Sequence, residues 1–448
     1  MRFVGVVVGV LAAMSAINAG AVTDPDRDVD GVLIVTIDAL RADRLSSYGY
    51  ERPTSPEIDA LYAEGARFVR ARTPEPLTTP AMSSMVTSLP PHLHGASRNG
   101  LRMEPGLDSL PKVLSEQGWQ TAAFVGNWTL RDEISRLGEH FNQYEGVFTK
   151  KRWFGLFNSE ATGEDLTERT LEWLDRHLEG SEPAPFLVWV HYVEPHAPYV
   201  LHDEYLDRLG LPPRPDKRGR YDTEVAAVDE EVGRLVSRVR GSVGADRLLL
   251  VVLADHGESL GEHDYWGHGR HLWEPSLHIP MGITWPGRIE PAVISEQALL
   301  TDVAPTVLSL LGVSPPESFT GFDWGGVLLG EAEAPRGRGA CFQAHKGAVQ
   351  IRHESERART VGLLEVGRVA DGRKEIVDVR SDELLAYDLG SDPAELRDLT
   401  PAGTAPSPEL AACVGAVMEA LGALDRQRSV DKLDDETVKQ LKALGYLE

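Results

Sequence analysis

The 448-residue sequence predicts an α/β protein with a doubly wound, mostly parallel sheet and a smaller C-terminal antiparallel sheet. Apolar runs without polar alternation, such as 31–37 and 248–253, are typical of strands buried on both faces of a parallel sheet. Helical stretches alternate with these runs over the first 330 residues, as in doubly wound folds. Beyond that point, short alternating runs between polar turns indicate the second sheet.

The individual elements follow from local signals. Ser55 and Pro56 stand where a helix cap and its first residue belong, so a helix is expected over 58–64. Pro80 and the periodic apolar residues after it predict a helix from about Thr79 to Ser88, with Thr78 at or just before its N-terminus. Further strands are expected at 68–72, 121–125, 185–190 and 283–285, and further helices at 110–117, 164–178, 222–240 and 301–311.

The domain organisation follows a change in composition. A catalytic α/β domain is expected over 30–330, and residues 331–338, rich in Ala, Pro, Gly and charge, form a predicted linker. The C-terminal subdomain, 339–448, is expected to contain strands at 348–351, 360–366, 375–379 and 384–389, with helices at 408–424 and 434–444.

Residues 1–21 are typical of a secretory signal peptide, with one charge, an apolar run and a small-residue exit. The run is shorter than the ~18 residues of a membrane helix, so we expect export to the periplasm or the outside and no stable membrane insertion. An uncleaved anchor is the alternative. Cys341 and Cys413 either pair or remain two buried thiols.

The net charge of −24, with no offsetting basic block, argues against nucleic acid as a partner. It does not exclude one anionic group bound locally. The sequence does not indicate an oligomeric state.

Polar residues stand at the ends of four separate apolar strands: Asp38, Asn127, His191 and Asp255. Ligands of open α/β sheets collect at the carboxyl ends of the strands. Asp255 and His256 together offer a carboxylate oxygen and an imidazole nitrogen, which is half of a site for a divalent ion. The alternative is an aspartate that caps a turn and a histidine that only packs.

Asp38, Thr78, Asp255 and His256 on one rim would provide three hard oxygens and one imidazole. This set suits zinc, manganese or iron better than calcium, which prefers oxygen only, although calcium stays among the candidate ions. A metal at the Thr78 hydroxyl lowers its pKa, so that it can attack phosphorus or sulfur in an anionic ester. The helix N-terminus at Thr78 also favours an anion.

Several stretches resemble the sulfatase family of the alkaline phosphatase superfamily, from about Gly31 to the C-terminus. They are VLIVTIDALRADRLSSYGY, ADHGESLGEHDYWGHGRHLWEPSLHIP, TDVAPTVLSLLGV, YDLGSDPAE and LKALGYLE. The resemblance implies an alkaline-phosphatase-like α/β domain, a smaller C-terminal sheet with a packed helix, and a divalent metal. It also implies hydrolysis or transfer of a sulfuryl or phosphoryl group.

The sequence departs from the family pattern at key positions. Thr78 to Met82 align with the Cys-x-Pro-x-Arg motif whose cysteine, or sometimes serine, becomes formylglycine, and threonine is not expected to be converted. Ala39 replaces the second acid of an Asp-Asp pair, and Asp255-His256 replaces Asp-Asn. The Gly-Lys-Trp-His stretch that grips sulfate reads GNWT here, from 126 to 129, so both sulfate-binding side chains are missing.

The resemblance also implies roles for individual residues. His196 corresponds to the histidine that binds the ester oxygen or protonates the leaving group. His268 lies near the position of the family's final lysine, where it would bind the anion or complete a second metal site. His191, His263 and His271 are weaker candidates, for which a structural or surface role is the leading interpretation.

Four residues are candidates for substrate binding. Asn99, at a spacing found in the phosphodiesterase and phosphotransferase branches, would donate to developing negative charge, although a turn residue before Gly100 is the alternative. Asn127 stands in the altered sulfate-binding stretch. Arg98 and Arg270 flank the motifs and would supply the positive charge lost with the missing lysine and arginine.

We therefore expect an exported, metal-dependent hydrolase or transferase that cleaves a sulfate or phosphate ester through Thr78, with phosphoesters favoured. The alternative is a catalytically silent relative that binds an anionic glycan or lipid, although the retained Asp38, Asp255, His256 and His196 weigh against it. The natural substrate has no decodable motif.

Overall fold

The computed structural model describes residues 28–152, 157–179, 183–346, 362–401 and 403–427. The segments predicted at 1–21, 348–351 and 434–444 lie outside these residues. The strands in chain order are β1 (Gly31–Ile37), β2 (Ala66–Arg72), β3 (Gln120–Val125), β4 (Gln143–Gly146), β5 (Lys150–Arg152), β6 (Phe157–Glu160), β7 (Phe186–Tyr192), β8 (Leu248–Ala254), β9 (Ser259–Leu260), β10 (Trp266–Gly267), β11 (His278–Thr284), β12 (Ala292–Ile294), β13 (Ala298–Leu299), β14 (Ala340–His345), β15 (Leu363–Ala370), β16 (Arg373–Asp378) and β17 (Glu383–Asp388).

The helices alternate with the strands of the larger sheet. They are α1 (Pro56–Ala63), α2 (Thr78–Thr87), α3 (Pro91–His94), α4 (Leu110–Glu116), α5 (Asp132–Ser135), α6 (Gly163–Leu178), α7 (Leu206–Leu209), α8 (Lys217–Val243), α9 (Glu274–Leu277), α10 (Val303–Leu310), α11 (Gly325–Leu328) and α12 (Pro408–Gln427).

The larger sheet has the strand order β12-β2-β11-β8-β1-β7-β3-β4, with β13 beside β2. The central strands β8, β1, β7, β3 and β4 are parallel, whereas β11 runs antiparallel to both β8 and β2. The prediction of a mostly parallel α/β sheet with a separate antiparallel sheet is confirmed. Every residue of β1, β7 and β8 is buried, which explains why these strands read as unbroken apolar runs.

The central register brings the strand ends together. Ile37 at the end of β1 pairs with Tyr192 of β7 and Ala254 of β8, and Val125 of β3 pairs with His191. The residues that follow these strands therefore meet at one edge of the sheet.

Helix α2 begins at Thr78, as its proline and apolar spacing predict, and all ten of its residues are buried. Helix α8 is longer than the predicted 222–240 because Asp216 caps it, accepting a hydrogen bond of 2.9 Å from the backbone N–H of Gly219. The periodic apolar positions alone do not reveal this first, partly exposed turn.

The C-terminal sheet has the order β14-β15-β16-β17, all antiparallel. Strand β14 was not predicted, because five of its six residues are buried and its sequence lacks a regular alternation of polar and apolar residues. This strand begins two residues after the predicted linker, and α12 contacts both β14 and β15. A disulfide joins Cys341 of β14 to Cys413 of α12, with Cα atoms 5.9 Å apart, which decides between the two alternatives for these cysteines.

Within the described residues, no helix has the length and apolar character needed to cross a membrane.

Candidate metal centre and active site

The predicted strand-end residues meet at the carboxyl edge of four adjacent strands. Asp38 follows β1, Asp255 follows β8, His191 is the penultimate residue of β7, and Asn127 lies just beyond β3. All four side chains are buried. Because the strands are parallel and in register, residues far apart in the chain share one site.

Asp38, Asp255 and His256 form a group whose potential ligand atoms all lie within 4.8 Å of one another. One oxygen of each carboxylate is already hydrogen-bonded: Asn127 donates to Asp38 Oδ2 at 2.5 Å, and the backbone of Ala39 donates to Asp255 Oδ1 at 3.0 Å. The other oxygens, Asp38 Oδ1 and Asp255 Oδ2, are buried without a hydrogen-bond partner. Two such orphaned oxygens are a reason to expect a cation between them.

The imidazole of His256 completes this group. Its Nδ1 donates to the carbonyl of Gly257 at 2.8 Å, so Nε2 carries the free lone pair. Nε2 lies 3.4 Å from Asp255 Oδ2 and 3.7 Å from Asp38 Oδ1. Burial, together with the neighbouring His268, lowers the pKa of His256 well below its usual value, so the ring is neutral and able to bind a metal.

The pKa values of the two carboxyl groups shift in opposite directions. Burial and the charge of Asp38 raise the pKa of Asp255 well above its usual value. Burial acts in the same direction on Asp38, but His196, His191 and His256 outweigh it and lower the pKa of Asp38. A buried carboxylate pair of this kind is stabilised by a cation, and two carboxylates with one imidazole suit zinc or manganese.

Thr78 lies beside the same group of residues. Its Oγ1 is 3.4 Å from His256 Nε2, and the side chain is completely buried. As the first residue of α2, it stands where free backbone N–H groups and the helix dipole favour an anion.

Asn99 is oriented by the residue that follows Thr78. Its Oδ1 accepts a hydrogen bond of 2.9 Å from the backbone N–H of Thr79. Its Nδ2 is buried without a hydrogen-bond partner. The Nδ2 group is therefore available as a donor, and a substrate-binding role for Asn99 stays a prediction.

His196 and His268 lie close to the group formed by Asp38, Asp255 and His256. The ring of His268 lies 4.2 Å from that of His256 and 5.2 Å from that of His196, between ring centroids. His268 Nδ1 is 3.0 Å from Oε1 of the buried Glu258. Burial lowers the pKa of His268, but the charge and hydrogen bond of Glu258 outweigh it, so the net shift is upward.

Glu258 was not among the predicted site residues. A glutamate in a charged loop is usually solvent-exposed. The one sequence feature that could have identified Glu258 as a site residue is its position two residues after His256.

His191 also faces the site. Its Nδ1 lies 2.8 Å from the Thr36 hydroxyl, and its Nε2 lies 3.6 Å from Asp38 Oδ2. His263 and His271, by contrast, stack against the ring of Trp273, each at 4.2 Å between centroids.

The other predicted substrate-binding residues have different surroundings. Asn127 is held by Asp38, and its Oδ1 accepts hydrogen bonds from the backbone and hydroxyl of Thr129. Arg98 donates to the backbone carbonyl of Lys346, toward the C-terminal sheet. Arg270 is exposed on the loop after β10. A substrate-binding role for the two arginines stays a prediction.

Two family models match the chain. The model described as Sulfatase matches residues 31–313, and the model described as N-sulphoglucosamine sulphohydrolase, C-terminal, matches residues 261–407.

Curated relatives match over most of the chain. Uncharacterized sulfatase YidJ of Escherichia coli (strain K12) is 24% identical over 430 residues, covering 82% of each chain. Arylsulfatase A of Homo sapiens is 24% identical over 446 residues, covering 85% of each chain.

Among solved structures, the phosphonate monoester hydrolase of Agrobacterium radiobacter has a similar fold. It aligns with a TM-score of 0.67 at 18% identity, covering 89% of this chain and 96% of that one. At this identity, the similarity is one of fold.

Proposed function

The chain belongs to the sulfatase family of sulfuric ester hydrolases, and from that premise we propose a metal-dependent enzyme that cleaves an anionic sulfate or phosphate ester through Thr78, with phosphate esters favoured. The observation that carries this proposal is the position of Thr78. Its hydroxyl lies 3.4 Å from the free Nε2 of His256, beside two carboxylates that each keep one unpartnered oxygen.

Asp38, Asp255, His256 and Thr78 are the residues that would hold the divalent ion. The ion would lower the pKa of the Thr78 hydroxyl and offset the negative charge of the ester. Zinc and manganese suit the mixed oxygen and nitrogen ligands, and calcium remains the third candidate.

In the proposed reaction, Thr78 Oγ1 forms a bond to phosphorus or sulfur and gives up its proton to solvent water. The bond to the leaving-group oxygen breaks, and that oxygen departs with the electron pair and takes a proton from His196 or His268. A water molecule then attacks phosphorus or sulfur of the threonyl ester. One of its protons passes to Thr78 Oγ1, the phosphate, phosphonate or sulfate product leaves with the new oxygen, and the histidine regains its proton from solvent. Asn99 Nδ2 is the candidate donor to the charge on the non-bridging oxygen.

Two observations favour phosphorus over sulfur. Threonine is not expected to become the aldehyde that sulfatases use. Asn127 and Thr129 stand at the two missing sulfate-binding positions, and both side chains are committed to the network around Asp38. A side chain already held in this way is poorly placed to bind a sulfate oxygen.

The test is a substrate panel with the wild type and the variants Thr78→Ala and Thr78→Ser. Each protein, loaded in turn with zinc, manganese or calcium, is assayed on an aryl sulfate, a phosphate monoester, a phosphate diester and a phosphonate. Thr87→Ala is the matched control, because Thr87 is a buried threonine of the same helix whose hydroxyl donates to the carbonyl of Ser83.

We expect at least one ester to be cleaved, activity lost in Thr78→Ala, and activity partly retained in Thr78→Ser. A wild type that binds metal stoichiometrically but cleaves no ester would instead support a protein that binds an anionic glycan or lipid.

Export is part of the proposal. The disulfide between Cys341 and Cys413 supports it, because such bonds persist in oxidising compartments. The cleavage site after about residue 21 is tested by N-terminal sequencing of the exported protein.

A further inference from the structure

We propose that strand β14 of the C-terminal sheet positions the nucleophile: Gln343 and His345 hold Glu75, and Glu75 fixes the segment that ends at Thr78. The inference rests on the proposed function, since it assigns the C-terminal subdomain a part in the reaction of Thr78. Glu75, Gln343 and His345 are positioning residues in this scheme.

Glu75 lies three residues before Thr78 and is completely buried. Both of its carboxylate oxygens are occupied by donors from β14. His345 Nδ1 donates to Oε1 at 2.8 Å, and Gln343 Nε2 donates to Oε2 at 2.9 Å. The orientation of this side chain is therefore set by residues about 270 positions away in the sequence.

The backbone on either side of Glu75 is also fixed. The carbonyl of Glu75 accepts hydrogen bonds from the Leu77 N–H at 2.9 Å and from the Thr73 hydroxyl at 3.0 Å. The backbone N–H of Gln343 donates to the carbonyl of Pro74 at 3.0 Å. The segment Thr73–Leu77 thus receives both side-chain and main-chain hydrogen bonds from β14.

The first turn of α2 continues this arrangement. The carbonyl of Leu77 accepts a hydrogen bond of 2.9 Å from the N–H of Ala81. Thr78 lies inside that turn, so a displacement of Glu75 is passed on through Leu77 to the nucleophile. A misplacement of about 1 Å in a reacting group can cost about 100-fold in rate.

The same network reaches α2 by a second route. Gln343 Oε1 accepts a hydrogen bond of 2.9 Å from His92 Nδ1 in α3. His94 of α3 contacts the hydroxyl of Ser84 in α2, with Nε2 3.0 Å from Oγ. Strand β14 therefore anchors the nucleophile helix on two sides.

Docking the two subdomains does not by itself require this arrangement. A buried carboxylate with two hydrogen-bond donors adds little net stability compared with well-packed apolar residues of similar size. A buried carboxylate three residues before the nucleophile is better explained by a role in positioning that segment than by a role in holding the two subdomains together.

The first arm of the test is kinetic. His345→Leu removes the donor to Glu75, whereas His345→Asn keeps one, because its Nδ2 takes the place of the imidazole Nδ1. We expect kcat of His345→Leu to fall at least tenfold with KM within twofold, and His345→Asn to recover to within threefold of the wild type. An equal loss in both variants, or no loss in His345→Leu, would overturn the proposal.

Gln343→Met is a second, isosteric variant in case His345→Leu does not fold, and it should also lower kcat. The control is Cys341→Ser with Cys413→Ser, which releases the other end of β14 without touching Glu75. Its kcat, measured at a temperature below its melting temperature, should equal that of the wild type at the same temperature.

The second arm is hydrogen–deuterium exchange and needs no substrate. Amides in a peptide over residues 73–82 should exchange at least tenfold faster in His345→Leu, while those of β8 are unchanged. Unchanged exchange over 73–82 would refute positioning by β14. A wild type inert on every ester would count against the proposed function, and the exchange result would still decide whether β14 holds the segment.

Discussion

The hydroxyl of Thr78 lies 3.4 Å from Nε2 of His256, although the two residues are 178 positions apart in the chain. One stands at the start of a buried helix, and the other follows the central strand β8. The fold thus brings together a hydroxyl, a neutral imidazole and two carboxyl groups from distant parts of the chain.

Metal binding should stabilise the protein, and Asp255→Asn should abolish this effect. The variant replaces a carboxyl group whose raised pKa favours its neutral form with a neutral amide, so the metal-free protein should be about as stable as the wild type. Thermal unfolding with zinc, manganese or chelator measures both effects. A metal-dependent rise in melting temperature that persists in Asp255→Asn would exclude this site as the binding site.

Glu258→Gln should impair catalysis without loss of metal. Glu258 raises the pKa of His268, so protonated His268 persists to higher pH in the wild type. Without the charge, its pKa falls, and the alkaline decline of kcat should move to lower pH. We expect kcat at neutral pH to fall about 10-fold, within the ~10² to 10⁴-fold that general acid catalysis contributes. An unshifted pH profile would mean that His268 is not the acid.

Asn127→Ala should weaken metal binding by about 10-fold, because residues that orient metal ligands commonly contribute 10- to 100-fold. The substitution removes the hydrogen bond that Asn127 Nδ2 donates to Asp38 Oδ2. Isothermal titration with zinc gives the affinity. Thr129→Val is the matched control, since it removes the hydroxyl contact to Asn127 while the backbone contact remains. If Asn127 served mainly to bind substrate, KM would rise and metal affinity would not change.

Replacing both Cys341 and Cys413 by serine should lower the free energy of unfolding by about 4 kcal/mol, the loop-entropy value for a closure of this length. The two cysteines are 72 residues apart. Denaturant unfolding gives the difference, and reduction of the wild type should produce a similar loss. Equal stability with and without the bond would show that α12 is held on β14 by packing alone.

The sequence predicted the central sheet and the strand-end residues because fully buried strands leave unbroken apolar runs that stop at polar residues. Asp38, Asp255 and His256 were identified in this way. Strand β14 was missed because it is buried on both sides, and Glu75 because nothing local marks a carboxylate whose partners lie in another subdomain. The bond between Asn127 and Asp38 depends on side-chain orientation, which residue spacing does not encode.

Because every side chain of α2 is enclosed by its neighbours, that helix leaves little freedom for adaptive change. Directed evolution toward new esters should therefore accumulate its successful substitutions outside α2. Changes along α2 should more often reduce the yield of folded protein than alter substrate preference.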